Sequence, residues 1–308
     1  MNWQAVTAQP SALGESPFWQ PQEQRLYWVD IARRQILRAN VDQGSVETWD
    51  MPSEPGCIAP AASGGWVIAL RHGVFRARAW RAPLERIATL DYDPATMRAN
   101  DGKCDTLGRL WIGTLDETRV SRNAALYCLD CRSGSAALLE RKTNSATAPA
   151  STGNGLAWSP DGGTLYWADT SSHRVWAWDF DVRSNALTAQ RTFVQFEPKP
   201  GGWQFDQSRY RGRPDGAAVD VQGNYYVAMY EGGRVCKFAP DGTLLAEMAT
   251  PALCPTMPCF GGADLQTLYL TTARHRRSAA ELAAWPLSGC VFSLRVAVPG
   301  LPVNFFVD

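Results

Sequence analysis

Four side chains with oxygen donors stand at one position of a repeated sequence pattern. Glu15 and Asn154 each lie eleven residues before the leucine of a Leu-Tyr-Trp run, and Asn100 and Asp215 stand in two segments of nearly the same layout. Because repeats of one structural unit put equivalent positions in equivalent places, these four residues are predicted to meet in space. Their carboxylate and amide oxygens suit Ca²⁺, Mg²⁺, Mn²⁺ or Fe²⁺ better than a structural zinc ion.

A metal held in this way would be catalytic rather than structural, because three protein ligands leave positions open for water and substrate. Taken singly, each residue is more often a turn residue. Glu15 precedes Ser-Pro, Asn154 lies between two glycines, and Asp215 stands in Pro-Asp-Gly. Their common position in the repeat is what favours a shared site.

The elements that would position these residues are short strands. Six strand-like segments recur along the chain, each followed by a second strand and separated by turn signals such as Pro-Asp-Gly. The six segments are residues 25–30, 65–70, 109–113, 164–169, 224–229 and 267–271. This pattern predicts an all-β fold, a six-bladed β-propeller, with residues 1–308 forming a single domain. A β-sandwich is the alternative, but it leaves the repeated polar-then-aromatic layout unexplained.

The propeller geometry predicts where each kind of residue points. The first strand of each blade lines the central channel, so polar residues at the starts of these strands should face it. The aromatic strands should lie further out. The 13 tryptophans are therefore expected to pack between blades rather than to form a platform for a ligand. Only a short helix is expected, around residues 281–284.

Composition excludes several classes of partner. Of the 308 residues 45% are hydrophobic and 19% are charged, with 30 basic and 30 acidic residues. This balance favours neither nucleic acid nor an anionic membrane as a partner. The N-terminus lacks the features of a signal peptide, and no apolar run is long enough to cross a bilayer. We therefore expect a cytoplasmic protein, either a monomer or a small homo-oligomer.

The cysteines form an apparent motif that geometry argues against. Eight cysteines are too dilute for a disulfide-rich scaffold in a chain of this length. Cys128 and Cys131 make a CxxC, but residues 125–131 read as a strand, where a spacing of three puts the two sulfurs on opposite faces. No second CxxC completes a zinc site. We therefore expect these two residues to be ordinary strand cysteines.

Other catalytic schemes find little support. There is no G-x-S-x-G and no H-E-x-x-H, and no glycine loop follows a strand and opens a helix. His72, His173 and His275 are isolated from one another in the sequence. The run at residues 274–277, Arg-His-Arg-Arg, is usually a solvated loop, although a loop at the channel mouth could hold an anion.

Five motifs now point to a family. They are Leu-Gly-Glu-Ser-Pro-Phe-Trp at 13–19, Arg-Ala-Asn-Asp-Gly-Lys at 98–103, Asn-Gly-Leu at 154–156, Pro-Asp-Gly at 214–216 and Cys-Phe-Gly-Gly at 259–262. With these motifs the chain resembles the senescence marker protein (regucalcin)/gluconolactonase family of six-bladed propeller sugar lactonases, over nearly its whole length.

The resemblance implies a set of site residues. Glu15, Asn154 and Asp215 would bind one divalent metal ion, with Ca²⁺, Zn²⁺, Mg²⁺, Mn²⁺ and Fe²⁺ all open. Arg98 and Asn100 would hold the substrate. The family often has an acidic substrate contact after the Gly-Thr of the third blade. Here Thr118 falls at that place with Glu117 beside it, so Glu117 is the candidate. The family's usual Glu-Gly-Pro is Glu-Ser-Pro at 15–17.

The resemblance also implies a reaction. A metal-dependent hydrolase would open an aldonolactone, such as glucono-, xylono- or arabinonolactone, to the sugar acid by attack of a metal-activated water. Asp215 is the candidate general base. Two alternatives stay open: a divalent-ion-binding propeller with little catalysis, and an organophosphate or aryl-ester hydrolase on the same fold. The basic loop at residues 199–213 precedes Asp215, and it either binds an anionic substrate or only shields the site.

Overall fold

The computed structural model describes residues 2–133, 138–143, 148–206 and 209–308. In these residues the strands form six four-stranded antiparallel sheets. The first strand of each sheet contacts the first strand of the next, and the last sheet contacts the first, so the sheets close into a ring. The predicted six-bladed β-propeller is confirmed. None of the described helices is long and apolar enough to span a membrane.

The N-terminal strand closes the ring. Strand β1, Gln4–Ala5, pairs with the last strand of the chain and so joins both ends in the sixth blade. Blades one to three contain β2 Gly14–Gln20, β3 Arg25–Asp30, β4 Gln35–Asn40, β5 Ser45–Asp50, β6 Pro55–Pro60, β7 Trp66–Leu70, β8 Gly73–Ala77, β9 Glu85–Ala88, β10 Met97–Cys104, β11 Leu110–Asp116, β12 Leu126–Asp130 and β13 Leu138–Arg141.

The remaining blades follow the same order from the channel outward. Blades four and five contain β14 Gly153–Trp158, β15 Thr164–Asp169, β16 Arg174–Asp181, β17 Ala186–Gln195, β18 Arg213–Val219, β19 Tyr225–Tyr230, β20 Arg234–Phe238 and β21 Leu244–Ala249. The sixth blade contains β22 Pro255–Gly261, β23 Thr267–Thr272 and β24 Phe292–Arg295. A short helix α1, Ala279–Ala284, lies between β23 and β24, which confirms the one short helix predicted.

Aromatic side chains fill the spaces between blades. Trp111 on blade three packs edge-to-face with Trp158 on blade four, with ring centroids 6.0 Å apart. Trp28, Trp111 and Trp167 are at most 1% exposed. This packing confirms the prediction that tryptophans form core between blades.

Cys128 and Cys131 lie on opposite sides of blade three. The strand ends at Asp130, one residue before Cys131, so it is slightly shorter than predicted. Cys128 packs with Trp111 and Trp158 toward blade four, whereas Cys131 packs in the cluster of blades two and three. All eight cysteines are buried and free. The prediction of ordinary strand cysteines is confirmed in its geometry.

The C-terminal segment crosses one end of the channel. The amide of Leu301 donates to Val219 O on blade five, and the amide of Phe306 donates to Pro60 O on blade two. Residues 301–304 line a cavity of about 290 Å³ at this end, together with later residues of the inner strands such as Trp19 and Lys103. We call it the base cavity.

Candidate functional site

The opposite end of the channel holds a second, more polar cavity of about 130 Å³. We call it the mouth cavity. Glu15, Asn100, Asn154 and Asp215 all line it, so the four residues predicted to meet do lie around one space. Each side chain is 6% exposed or less. Arg98 lines the same cavity.

A β-bulge on each inner strand places these residues. The pairing of β2 with β3 shifts between Glu15 and Phe18, and that of β14 with β15 shifts between Asn154 and Ala157. The corresponding shifts in β10 and β18 enclose Asn100 and Asp215. A bulge bends its strand and re-aims a side chain, which suits the start of a strand at a channel mouth.

The residues that follow Asn154 and Glu15 both have a left-handed backbone conformation, which restricts the residue type at these two places. Gly155 has a φ of +59°, and an added Cβ would meet the Tyr225 hydroxyl and the Asp215 carbonyl. Ser16 occupies the equivalent place after Glu15 with a φ of +48°. Its hydroxyl accepts a hydrogen bond from the Ile58 amide at 3.1 Å, which ties this conformation to blade two. A left-handed serine is uncommon, so a specific partner is expected.

A chain of hydrogen bonds fixes the neutral and basic side chains. Arg98 Nη1 donates to Asn100 Oδ1 at 2.6 Å, and Asn100 Nδ2 donates to Asn154 Oδ1 at 2.6 Å. Asn154 Nδ2 in turn donates to the Thr170 hydroxyl at 2.7 Å. The first bond sets the orientation of both amides, because the Arg98 guanidinium can only donate and so turns the Asn100 nitrogen toward Asn154. The carbonyl oxygen of Asn154 is therefore turned toward Asn100.

The two carboxylates are buried close to each other. Burial raises the pKa of Glu15 well above its usual range, and the neighbouring charges of Asp215 and Asp101 raise it further. Burial also raises the pKa of Asp215, with Arg213 acting in the opposite direction. Both shifts mean that the loss of hydration outweighs the nearby positive charges of Arg98 and Arg213.

The donor set fits a divalent cation. Glu15 Oε2 is buried and makes no hydrogen bond, although buried polar atoms are nearly always paired. A cation would satisfy three features of this site together: an acceptor without a donor, two carboxylates with raised pKa values and an oriented amide oxygen. Among the described residues no group of three His, Cys, Asp or Glu side chains forms a metal cluster, so an amide would have to complete the set.

Glu117, the predicted substrate contact, is held at the rim. Both of its carboxylate oxygens accept from Arg71, each at 3.0 Å. Arg98 Nε lies 3.9 Å from Glu117 Oε1. Thr118 donates its hydroxyl to Asp116 Oδ1 at 2.5 Å. Glu117 is thus beside the substrate pair without lining the mouth cavity.

Most of the basic side chains in the loop at 199–213 have acidic partners. Residues 207 and 208 of this loop lie outside the described residues. Lys199 Nζ donates to both oxygens of Glu231, at 2.9 and 2.8 Å. Arg213 reaches the same carboxylate at 3.3 Å, and Arg211 pairs with Glu247. The loop therefore carries less free positive charge than its sequence indicates.

Some lining residues have no counterpart in the sequence predictions. Thr170, Arg119 and Tyr230 line the mouth cavity; the first two follow the second strand of a blade, and Tyr230 is the last residue of such a strand. The loops after these strands vary between repeats, so the repeat pattern does not point to them. Their position on loops at the mouth of the channel is the only signal that could have found them.

The geometry has a match among known proteins. The family described as SMP-30/Gluconolactonase/LRE-like region matches residues 13–274. The chain belongs to this family. Among relatives, 6-deoxy-6-sulfogluconolactonase of Pseudomonas putida is 40% identical over 301 residues, which cover 98% of this chain and 97% of that protein. Regucalcin of Danio rerio is 32% identical over 305 residues, covering 97% and 96%.

Solved structures agree with this assignment. Regucalcin from Agrobacterium tumefaciens, described as a calcium-binding protein, superposes with a TM-score of 0.86 at 25% identity, covering 98% of this chain and 96% of that one. A gluconolactonase from Xanthomonas campestris shares the fold, with a TM-score of 0.71 at 23% identity and coverage of 96% and 89%. The prediction of a gluconolactonase-like member of this family is confirmed.

Proposed function

We propose that this protein hydrolyses a sugar lactone to the sugar acid at the mouth cavity, with one divalent metal ion held by Glu15, Asn154 and Asp215. The observation that carries this proposal is the convergence of these three residues beside the Arg98–Asn100 pair. The names of the relatives, gluconolactonase and 6-deoxy-6-sulfogluconolactonase, support an aldonolactone as the substrate.

The chemistry that a bound divalent ion supplies in such a site is Lewis-acid polarisation of a carbonyl and acidification of water. Glu15 and Asp215 provide the negative charge for it, and Asn154 provides a neutral oxygen oriented through Arg98 and Asn100. The orphaned Oε2 of Glu15 gives this set a free acceptor. Ca²⁺ is supported by the description of the Agrobacterium tumefaciens regucalcin, whereas the donor types alone also suit Mg²⁺ and Mn²⁺.

The side chains of this chain perform the remaining steps. Asp215 accepts a proton from the attacking water. The resulting hydroxide adds to the lactone carbonyl carbon, the ring C–O bond breaks, and the ring oxygen takes up the proton that Asp215 accepted. Arg98, held by Asn100, orients the hydroxyls of the sugar ring. Preorganised donors of this kind contribute by positioning, since they need not reorganise during the reaction.

The test is a substrate panel with controlled metal content. Purified protein is assayed with glucono-, xylono- and arabinonolactone and with paraoxon, before and after removal of metal by a chelator. We expect lactone hydrolysis that is lost on chelation and restored by a divalent ion. Hydrolysis of paraoxon alone would replace the lactonase with an organophosphatase. Metal binding without turnover of any lactone would leave an ion-binding propeller.

A further inference from the structure

The mouth cavity carries more positive than negative charge. Three arginines, Arg98, Arg119 and Arg213, line it together with only two carboxylates, Glu15 and Asp215. These five residues carry a formal charge of +1, and a divalent ion would raise it to +3. A neutral sugar lactone has no need of such a field, whereas an anionic one would be attracted by it.

Arg119 is the most available of the three arginines. Its side chain is exposed, and it makes no hydrogen bond or ion pair with any described residue. Other cations near the rim are already paired: Arg71 with Glu54 and Glu117, and Arg277 with Glu231 and Glu281. A guanidinium that lines a cavity without a partner is free to bind a ligand.

The loop that carries Arg119 is held rigidly by one buried side chain. Asp116 is 1% exposed, and its carboxylate accepts from the amide and hydroxyl of Thr118, the hydroxyl of Ser121 and the amide of Asn123. The amide of Arg119 itself donates to Asp116 O at 3.1 Å. The backbone under Arg119 is therefore preorganised, which reduces the entropy lost when its side chain binds.

Arg213 offers a second donor in the same cavity. Its Nε is buried and has no hydrogen-bond partner, and its guanidinium lies over the ring of Tyr230 at 5.3 Å. Among the residues that the structure describes, the one carboxylate that pairs with it is that of Glu231, which is shared with Lys199 and Arg277. Arg277 also pairs with Glu281, so three cations share two carboxylates and positive charge remains on this side of the cavity.

We propose that Arg119 and Arg213 bind an anionic substituent of the sugar lactone, so that this enzyme prefers a lactone carrying a sulfonate or phosphate over the neutral sugar. The inference rests on the proposed lactonase function and adds the substrate class and the residues that select it. Arginine suits this role because its planar fork donates two hydrogen bonds to a tetrahedral oxyanion. The sulfonate named for the Pseudomonas putida relative belongs to this chemical class.

Two measurements test the inference separately from the proposed function. The first is the ratio of kcat/KM for a gluconolactone with a sulfonate at C6 to that for unsubstituted gluconolactone, with the 6-phosphate as a third substrate. The second is the Kd of the corresponding sulfonated sugar acid, which requires no turnover. Both are compared in wild type, Arg119→Gln, Arg119→Lys and Arg213→Gln. Arg183→Gln is the matched control, because Arg183 is exposed on a turn of blade four, away from both cavities.

We expect Arg119→Gln to lower the kcat/KM ratio and to weaken binding of the sulfonated acid by about tenfold, from the loss of one charge-assisted hydrogen bond. Arg119→Lys should retain part of the preference, and Arg183→Gln all of it. The 6-phosphate arm tells a sulfonate-specific site from a general oxyanion site.

A wild-type ratio near one, or equal binding of the sulfonated acid in wild type and both arginine variants, would overturn the inference while leaving the lactonase intact. Normal binding of the sulfonated acid with no turnover of any lactone would instead overturn the proposed function.

Discussion

The two ends of the central channel are built from the same inner strands and differ in almost every other respect. The mouth cavity, about 130 Å³, is lined by five charged residues and opens toward loops. The base cavity, about 290 Å³, is lined by a single charged residue, Lys103, and is crossed by residues 301–304. The larger cavity is thus the less suited to chemistry.

The difference arises from position along each strand. Glu15 stands at the start of β2 and faces the mouth, whereas Trp19, four residues later, faces the base. Bulges occur at the mouth end, where they free a side chain from the regular ladder. Cavity size alone is therefore a poor guide to function, and the presence of convergent, incompletely paired polar groups is a better one.

The largest predicted effects come from the two carboxylates of the mouth cavity. Asp215→Asn and Glu15→Gln should each lower lactone kcat/KM by about 10³-fold or more, because each removes charge that a catalytic metal ion needs. Asp215→Asn should be the more damaging if Asp215 is also the general base.

At the base cavity, Lys103→Met should change kcat/KM by less than about fivefold, with a stability cost of about 1 kcal/mol for the lost hydrogen bond to Ala217 O.

Bound metal, measured after gel filtration, distinguishes the causes in these variants. Metal content should fall in the Glu15→Gln variant and stay complete in the Lys103→Met variant, as expected if the mouth cavity binds the metal and the base cavity does not. A loss of turnover in Lys103→Met as large as that in Asp215→Asn would show instead that the two ends act as one site.

A second prediction tests the close contact between Gly155 on blade four and Tyr225 on blade five at the mouth of the channel. Gly155→Ala should destabilise the protein by about 3 kcal/mol or more and displace Asn154, because the new methyl group meets Tyr225. Gly44→Ala is the matched control: Gly44 has a φ of +64° and nothing within 4 Å of its added Cβ. It should cost only about 1 kcal/mol, the penalty for a left-handed alanine. Equal denaturant midpoints for the two variants would contradict the role of the close approach.

Periodic features of the molecule were predictable from the sequence, and non-periodic ones were not. The blades and the meeting of Glu15 with Asp215 follow from a spacing that repeats along the chain. Arg119 stands in a loop after the second strand of its blade, and the sequences of these loops vary between repeats. The pairing of Lys199 with Glu231 joins residues from different loops, so the sequence alone does not show how much of the charge of the 199–213 loop is free. Such contacts depend on tertiary packing rather than on local pattern.

A smaller effect concerns the rim of the mouth, where His173 Nε2 lies 2.7 Å from the Tyr210 hydroxyl. Burial lowers the pKa of His173 below its usual value and Arg213 lowers it further, while Asp169 and Glu231 oppose the shift. Because the pKa of His173 is lower in the folded protein, the unfolded chain takes up a proton at a higher pH than the folded protein does. The stability from neutral His173 is therefore complete above a pH of about 6.5 and is lost as the pH falls through the lowered value.

The thermal midpoint of wild type should thus fall between pH 7.5 and pH 5.5 by about 2 °C more than that of His173→Gln. Thermal unfolding at both pH values measures this difference. An identical pH dependence in the two proteins would mean that His173 remains as easily protonated in the fold as in the unfolded chain.

The smallest effect is expected outside the channel, at the CxxC of blade three. Cys128→Ala/Cys131→Ala should keep its metal content and lactone kcat/KM within about twofold of wild type, because the two sulfurs face different blade interfaces and lie in apolar clusters. Burial raises the pKa of Cys131 to about 11, so at neutral pH its thiol is not the thiolate that metals bind. The variant should lose about 1–2 kcal/mol of stability through the small cavities left behind. Loss of bound metal in this double variant would place the metal site in blade three rather than at the mouth cavity.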